Sequence, residues 1–100
     1  MSLSIEKNIT DKTEITLTGR LDTTTAPELE TVLDEVLPAT KALVFDMAKL
    51  EYISSAGLRL VLKAQKSMNA AGGSMKLTNV GEAIMEVFEI TGFSDFLDIE

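Results

Sequence analysis

Apolar and polar residues alternate in two stretches near the start of the chain. The alternate positions of the first hold Leu3, Ile5, Lys7 and Ile9, and those of the second hold Ile15, Leu17, Gly19 and Leu21. A period of two is typical of half-buried strands, because successive side chains of a strand point to opposite faces. Residues 10–13 between the stretches are polar and few, which suits a tight turn. The sequence therefore predicts a hairpin of two strands.

Three later stretches place their apolar residues at the spacing of a helix. They comprise Leu29, Val32, Leu33, Val36 and Leu37; then Leu58, Val61, Leu62 and Met68; then Ile84, Val87 and Phe88. A threonine run with Pro27 suits the start of the first helix, and Pro38 its end. The glycines within residues 71–73 are expected to end the second helix. Asn79 is predicted to cap the third helix and Gly92 to end it.

Two short stretches predict the remaining strands. Residues 42–47 are apolar almost throughout, which favours a central strand covered on both faces, and residues 75–78 form a fourth strand. Phe93, Phe96 and Leu97 are expected to form a last helical turn over one end of the sheet. The order of the elements predicts parallel neighbours joined by right-handed crossovers. The predicted fold is one α/β domain over residues 1–100, with a mixed four-stranded sheet packed against three to four helices.

The composition agrees with a single globular domain and narrows the class of partner. Of the 100 residues, 45% are hydrophobic and 25% are charged, which is the ordinary globular mix. The net charge of −7 disfavours nucleic acid and anionic membrane surfaces as partners. The first seven residues lack the apolar run of a signal peptide, and no stretch of 18 apolar residues occurs. We therefore expect a cytoplasmic protein without direct membrane insertion.

Cysteine and histidine are both absent from the chain. Their absence removes disulfides, thiolate nucleophiles, imidazole bases and the commonest zinc ligands. The chain has no Gly-x-Ser-x-Gly elbow, and residues 71–74 lack the lysine and the glycine spacing of a phosphate-binding loop. A carboxylate-only magnesium or calcium site stays open, although no calcium-loop spacing is present. We expect a protein that is not an enzyme and uses no cofactor or metal.

The most informative segment, residues 46–58, joins the third strand to the second helix. In open α/β sheets, partners most often bind at such loops, which follow the carboxyl ends of strands. Ser54 and Ser55 stand at the start of the helix, where free backbone N–H groups attract anions. A serine there can be an N-cap or a phosphate acceptor, and the two roles can coexist.

Asp22 is a second candidate, because it follows the second predicted strand. It either bonds the local amides of a turn and helix cap, or supplies charge at the same end of the domain as Ser55. Both interpretations remain open at this point.

Several short segments together resemble the STAS-domain family, specifically the small stand-alone anti-sigma-factor antagonists of bacteria. They are residues 19–22, 43–46 and above all 52–58, followed by residues 72–73 and 90–93. The resemblance implies an antagonist that binds an anti-sigma factor, itself a serine kinase, and so frees a sigma factor for transcription. The kinase uses ATP to phosphorylate Ser55, which breaks the complex. A serine phosphatase then restores the antagonist.

The same resemblance implies a partner-binding surface. Its residues are Asp22, Thr23, Ser54, Ser55, Ala56 and Gly57. Ser54 stands where many family members carry aspartate, and Ala56 where a hydroxy residue often occurs, which puts the identity of the partner in question more than the fold. The alternative function is that of a STAS subunit in a membrane-associated transport or other signalling complex. A nucleotide-binding domain is the least favoured of the hypotheses.

Overall fold

Four strands form one mixed sheet in the computed structural model, which describes residues 3–100. The strands are β1 (Leu3–Ile9), β2 (Thr13–Leu21), β3 (Ala42–Ile53) and β4 (Ser74–Thr78). Their order in the sheet is β1-β2-β3-β4, with β1 antiparallel to β2 and the other two pairs parallel. The predicted hairpin, the mixed sheet and the interior position of the third strand are therefore confirmed.

Three α-helices and one short 3₁₀ turn connect and cover the strands. They are α1 (Ala26–Val36), α2 (Ser55–Ala70), α3 (Glu82–Thr91) and the 3₁₀ turn Phe93–Asp95. Gly92 ends α3 in the left-handed conformation, as predicted. Within residues 3–100, no helix combines the length and the apolar character needed to cross a membrane.

The predicted cap of α3 by Asn79 is wrong. Gly81 occupies the N-cap position, and Asn79 has a positive φ of 56° just after β4. Asparagine tolerates this left-handed conformation better than most residues, and Asn79 therefore forms the turn that follows β4. Its side-chain amide donates to Asp46 Oδ1 at 3.1 Å and so ties the end of β4 to β3.

The two faces of the sheet differ in character. One face carries the apolar side chains that join residues of all three helices in a single core, with Leu17, Phe45 and Leu77 among those fully buried. The register places Val44 between Glu14 and Lys76 on the opposite face, and it lies outside that core. Val44 is nevertheless buried, so the third strand is covered on both faces at this position, as predicted. The helices lie on one face only, because α1, α2 and α3 all contribute to the same core.

β3 runs well beyond the predicted residues 42–47, as far as Ile53. Its register against β2 shifts twice, between Thr16 and Thr18 and between Gly19 and Arg20. At each shift β3 contains one residue more than β2. Such bulges break the alternation of apolar and polar residues, and the strand predicted from that alternation is therefore too short. The segment expected as a loop is mostly strand, and only Ser54 separates β3 from α2.

α2 buries a stripe that differs in part from the predicted one. The stripe consists of Gly57, Leu58, Leu60, Val61, Ala64 and Met68. Leu62, predicted to be buried, is half-buried and outside the core, since it points roughly 130° away from the centre of the stripe at about 3.6 residues per turn. On α1, Leu29 and Leu33 are fully buried as predicted, whereas Val32 is half-buried but packs against the core.

The C-terminal residues cover the outer edge of β4. Leu77 N donates to Asp98 O and Glu100 N donates to Leu77 O, both at 2.9 Å, so that Ile99 forms a parallel bridge with Leu77. Leu97 is buried and belongs to the core. A short helical turn at Phe93–Asp95 precedes this bridge, close to the turn that the sequence predicts.

The first turn of α2 lies against the ends of two strands. A β-carbon added to Gly57 would stand 2.7 Å from Leu21 Cγ and 2.9 Å from Ile53 Cγ1, closer than real β-carbons come to other atoms. Leu21 and Ile53 are the last residues of β2 and β3 and are both buried. Any larger residue at position 57 would therefore push the start of α2 away from the sheet.

We expect Gly57→Ala to lower the free energy of unfolding by about 1–3 kcal/mol, because the added methyl group overlaps buried side chains. Chemical denaturation of the variant measures this cost. The same substitution in a Leu21→Ala background should cost less, since that background lacks two of the colliding atoms. An equal cost in both backgrounds would show that the overlap with Leu21 is not the cause.

Two leucines on α2 provide a test of its buried stripe. Leu60→Ala should lower the free energy of unfolding by about 2–4 kcal/mol, because Leu60 is buried in the core. Leu62→Ala should cost less than about 1 kcal/mol, because Leu62 stays half-exposed outside it. Urea titrations of the two variants give both values. Equal costs would mean that Leu62 is part of the core.

Candidate functional site

The candidate residues follow two neighbouring strands that end side by side. Leu21 at the end of β2 is the register partner of Ile53 at the end of β3. The backbone N–H of Ser54 donates to the carbonyl of Leu21 at 2.9 Å and continues the pairing by one residue. Asp22 and Ser54 therefore leave the same edge of the sheet, and the structure brings together the two segments that the sequence singled out.

Ser54 is the N-cap of α2. Its backbone is extended, with φ of −95° and ψ of 175°, and its hydroxyl oxygen accepts a hydrogen bond from Gly57 N at 3.3 Å. This bond satisfies one of the free N–H groups of the first helical turn. Ser54 is half-buried, and its hydroxyl oxygen is engaged by the first turn of the helix.

Ser55 is the first residue of α2 and is exposed. Within residues 3–100, its hydroxyl has no hydrogen-bond partner, in contrast to the hydroxyl of Ser54. It stands at the end of the helix where the free N–H groups and the helix dipole are positive. The two adjacent serines thus differ in role, with one closing the helix and the other presenting its hydroxyl to solvent.

The residues that follow Ser55 link the site to the core. Ala56 is half-buried and packs against the core, and Gly57 is buried against the strand ends. Gly57 presents no side chain at the surface. Its close contact with Leu21 and Ile53 instead determines how far Ser55 projects from the sheet.

The carboxylate of Asp22 organises its own loop. Its Oδ1 accepts hydrogen bonds from the hydroxyl of Thr24 at 2.7 Å and from the backbone N–H groups of Thr24 at 3.0 Å and Thr25 at 3.1 Å. These donors favour the ionised carboxylate, the hydroxyl of Thr24 most of all, and so hold the pKa of Asp22 below its ordinary value. The interpretation of Asp22 as a local turn residue is therefore correct in its geometry.

Thr25 stands at the N-cap position of α1 without capping it through its side chain. Its hydroxyl donates to the carbonyl of Arg20 at 2.8 Å and accepts from the backbone N–H of Asp22 at 2.9 Å. Thr25 is buried, and these bonds hold the loop against the end of β2. The threonine run consequently works together with Asp22 in holding the loop.

Arg20 and Tyr52 are two residues of this edge that the sequence analysis missed. The guanidinium carbon of Arg20 lies 4.2 Å from the centroid of the Tyr52 ring, a cation–π contact. Arg20 Nε is also 3.9 Å from Asp22 Oδ2, the oxygen that the loop leaves free. The two residues are register partners across β2 and β3, and only the bulges in β3 bring them opposite each other.

A groove runs from this edge between α1 and α2. Its volume is about 310 Å³, and it is lined by Thr23, Ala26, Pro27, Glu30, Ala56, Arg59, Leu60 and Lys63. Thr23 is exposed at its upper end, close to the start of α1. The site thus combines an exposed hydroxyl, an ionised carboxylate and a shallow groove, which can accept a phosphate on Ser55 and contact a protein surface.

Comparisons with known proteins agree with this architecture. The family model described as the STAS domain matches residues 4–100. A protein of Listeria monocytogenes named anti-sigma-B factor antagonist is 30% identical over 102 residues, which cover 100% of this chain and 89% of the relative. A protein of the same name from Staphylococcus aureus is 33% identical over 101 residues, which cover 99% of this chain and 94% of the relative.

Solved structures show the same fold. The unphosphorylated form of the anti-sigma factor antagonist SpoIIAA aligns with a TM-score of 0.77 and 19% identity, over 99% of this chain and 87% of that one. The phosphorylated form of SpoIIAA, a Bacillus cell fate determinant, aligns with a TM-score of 0.76 and 20% identity, over 99% and 91%. With the family model matched over nearly its entire length, the chain belongs to the STAS-domain family.

Proposed function

We propose that this protein is an anti-sigma-factor antagonist that binds an anti-sigma factor with serine-kinase activity and is released when that kinase phosphorylates Ser55. The exposed hydroxyl of Ser55 at the start of α2 carries the proposal. It is free of hydrogen bonds within residues 3–100, whereas the neighbouring Ser54 is occupied as the cap. The antagonist names of the Listeria and Staphylococcus relatives support the class of partner.

A phosphate on Ser55 would not require the domain to refold. The first turn of α2 offers backbone N–H groups and the positive end of a helix dipole, both of which favour an anion. SpoIIAA has the same fold as this chain in its unphosphorylated and phosphorylated forms, with TM-scores of 0.77 and 0.76. The modification is therefore expected to act on the surface of the domain rather than on its stability.

The same phosphate would change the interface strongly. It adds about −1.5 to −2 charges to a chain whose net charge is already −7. A charge at a protein interface must be paired or lose its hydration, and an unpaired buried charge is costly. Phosphorylation can therefore release the partner while the helix tolerates it, and a serine phosphatase would restore binding.

The proposed partner-binding surface comprises the residues around Ser55 at this edge. Thr23 and Ser55 are exposed, while Ser54 and Ala56 are half-buried beside them. Asp22 contributes a negative charge, because its pKa lies below the ordinary value and its Oδ2 is not used by the loop. Gly57 acts by position only, since it holds the start of α2 against β2 and β3.

The experiment begins with capture of partners by the unmodified protein in its native bacterium and their identification by mass spectrometry. A captured anti-sigma factor is then purified and incubated with the chain and ATP, and the phosphorylated peptide is mapped. Capture of a subunit of a membrane transport complex, with no anti-sigma factor, would favour the alternative STAS function and contradict the proposal.

We expect Ser55→Ala to remove phosphorylation by the kinase while binding stays intact, and Ser55→Glu to bind weakly because it places a charge at the interface. Ser54→Ala should still be phosphorylated at position 55, but should unfold more easily by about 1 kcal/mol, because it loses the cap of α2. Mass mapping and a binding titration check these outcomes.

Matched controls separate the effect of Ser54 as the helix cap from that of Ser55 as the phosphate acceptor. Ser54→Asp replaces one good N-cap residue by another, so the free energy of unfolding should stay close to that of the parent chain. Ser55→Ala should change the same quantity by less than about 0.5 kcal/mol, since Ser55 makes no side-chain bond within residues 3–100. Phosphate found on Ser54 alone, or on neither serine, would overturn the assignment of Ser55.

Asp22 should affect both the loop and the partner, and two variants separate these effects. Asp22→Asn keeps an acceptor oxygen for Thr24 and Thr25 but removes the charge, so we expect weaker partner binding with most of the stability retained. Asp22→Ala removes the acceptor as well and should melt at a clearly lower temperature. Partner affinity of Asp22→Asn equal to that of the parent would show that the charge has no part in binding.

The stability contributed by ionised Asp22 should depend on pH. The pKa of Asp22 is lowered by folding, so this contribution is present above the ordinary aspartate value of about 3.9 and is lost as the pH falls through the folded-state value. The difference in melting temperature between the parent and Asp22→Asn should therefore be constant near neutral pH and narrow below about pH 4. A difference that persists unchanged at lower pH would exclude the charge as its cause.

A further inference from the structure

α2 has an unusual charge composition for this chain. Its 16 residues include Arg59, Lys63 and Lys66 but no aspartate or glutamate, whereas the whole chain has 16 acidic and 9 basic residues. One third of the basic residues therefore lie on a helix without acidic ones. A local positive potential of this kind within a chain of net charge −7 attracts negatively charged groups of a partner.

The basic residues lie on one side of α2 and surround an apolar side chain. Arg59, Leu62, Lys63, Lys66 and Ser67 line a shallow depression of about 350 Å³, which we call the basic face of α2. Positions 59, 62 and 66 are three and four residues apart, so they follow one another along the helix surface. Leu62 is half-exposed between the two outer cations.

Of the three cations, one is paired with carboxylates of α1 and two form no ion pair within residues 3–100. Lys63 Nζ lies 3.4 Å from Glu30 Oε2 and 3.6 Å from Asp34 Oδ1, and so it bridges α2 to α1. Arg59 and Lys66 are exposed, and neither forms an ion pair with any residue of the range 3–100. These two charges are therefore available to an external carboxylate.

The basic face is continuous with the proposed partner-binding surface. Arg59 and Lys63 line both the depression on α2 and the groove between α1 and α2, and Thr23 and Ala56 line the other end of that groove. Arg59 also follows Ser55 by four residues on the helix, a spacing at which the β-carbons lie about 5–6 Å apart. A phosphate on Ser55 would come within reach of the Arg59 guanidinium.

Resting on the function proposed above, we propose that the basic face of α2 binds an acidic segment of the anti-sigma partner. Carboxylates of that segment pair with Arg59 and Lys66, and an apolar side chain of it packs on Leu62. Phosphate on Ser55 competes with the partner for Arg59 and repels the partner's carboxylates. The modification therefore weakens a contact that extends beyond its own position on the helix.

The number and setting of the charges favour a protein partner over a polyanion. Binding to a phosphate backbone or to an anionic membrane usually needs several clustered cations, and only two unpaired cations flank Leu62 here. The strongly acidic remainder of the chain would repel an extended polyanion. A short acidic segment with an apolar residue matches the spacing of Arg59, Leu62 and Lys66.

The test compares charge reversals of equal size at two places. Arg59→Glu and Lys66→Glu should each weaken binding of the purified anti-sigma kinase about tenfold or more, because attraction becomes repulsion. Lys49→Glu is the matched control, since Lys49 is exposed and its register with Thr18 places it on the sheet face opposite the helices. It changes the net charge equally and should alter the affinity less than about twofold.

Contact is checked directly by a zero-length carbodiimide crosslinker, which joins a lysine amine to a touching carboxylate. Mapped crosslinks should connect Lys66, and not Lys49, to acidic residues of the kinase. Replacing the crosslinked acidic residue of the kinase by lysine should restore binding to Lys66→Glu. Melting curves of all variants confirm that the chain is folded in each measurement.

The outcomes separate this inference from the function on which it rests. If the parent chain binds no anti-sigma kinase, both proposals are overturned. If it binds and the reversals at positions 59 and 66 behave like Lys49→Glu, the inference is overturned and the proposed function stands. Binding of duplex DNA or of phosphatidylserine vesicles by the parent, lost in Lys66→Glu, would also overturn it, because the basic face would then serve a polyanion.

Discussion

The close approach of α2 to the ends of β2 and β3 is the constraint on which the rest of this domain depends. Leu21 and Ile53 fill the space beneath the first helical turn, and only a glycine at position 57 leaves room for them. Because Ser54 N also bonds to Leu21 O, the helix starts directly where the sheet stops. The same contact that completes the core thus sets the height at which Ser55 projects. The stability of the domain and the position of Ser55 are coupled at this point, because a change in the contact would alter both.

Around this contact, polar groups divide their tasks between the fold and the surface. The hydroxyl of Ser54 and the Oδ1 atom of Asp22 bond backbone N–H groups of their own loops. The hydroxyl of Ser55 and the Oδ2 atom of Asp22 are left over by these bonds and lie at the same edge. Because Ser54 and Asp22 Oδ1 already satisfy the backbone N–H groups, the neighbouring hydroxyl and carboxylate oxygen are available to a partner. A group that caps a helix would have to break its bond to the backbone before it could bind a partner.

Electrostatic interactions at this edge would control the proposed release of the partner by phosphorylation. A chain of net charge −7 carries an acid-free helix whose first residue is the proposed phosphate acceptor. A phosphate at Ser55 would lie between the positive end of the α2 dipole and the Arg59 side chain one turn further on. In our proposals these groups make the modification compatible with the fold and, for the same reason, reduce the positive potential available to an acidic partner.

Sequence periodicity by itself determined the element order, the mixed sheet and most of the buried face of α1, because apolar residues at periods of about two and 3.6 depend only on local geometry. It also pointed to Asp22 and to the adjacent Ser54 and Ser55, since both segments follow strand ends and such ends meet at one edge. Only the resemblance to the STAS-domain family selected Ser55 of the two serines. Periodicity failed where a tertiary contact decides the local structure: the bulges that extend β3 to Ile53, the exposure of Leu62 and the conformation of Asn79. The choice of Ser54 as the cap and the stacking of Arg20 on Tyr52 likewise belong to the tertiary structure. Each of these features depends on which atoms of distant segments are brought together, and a pattern along one segment carries no record of its neighbours in space.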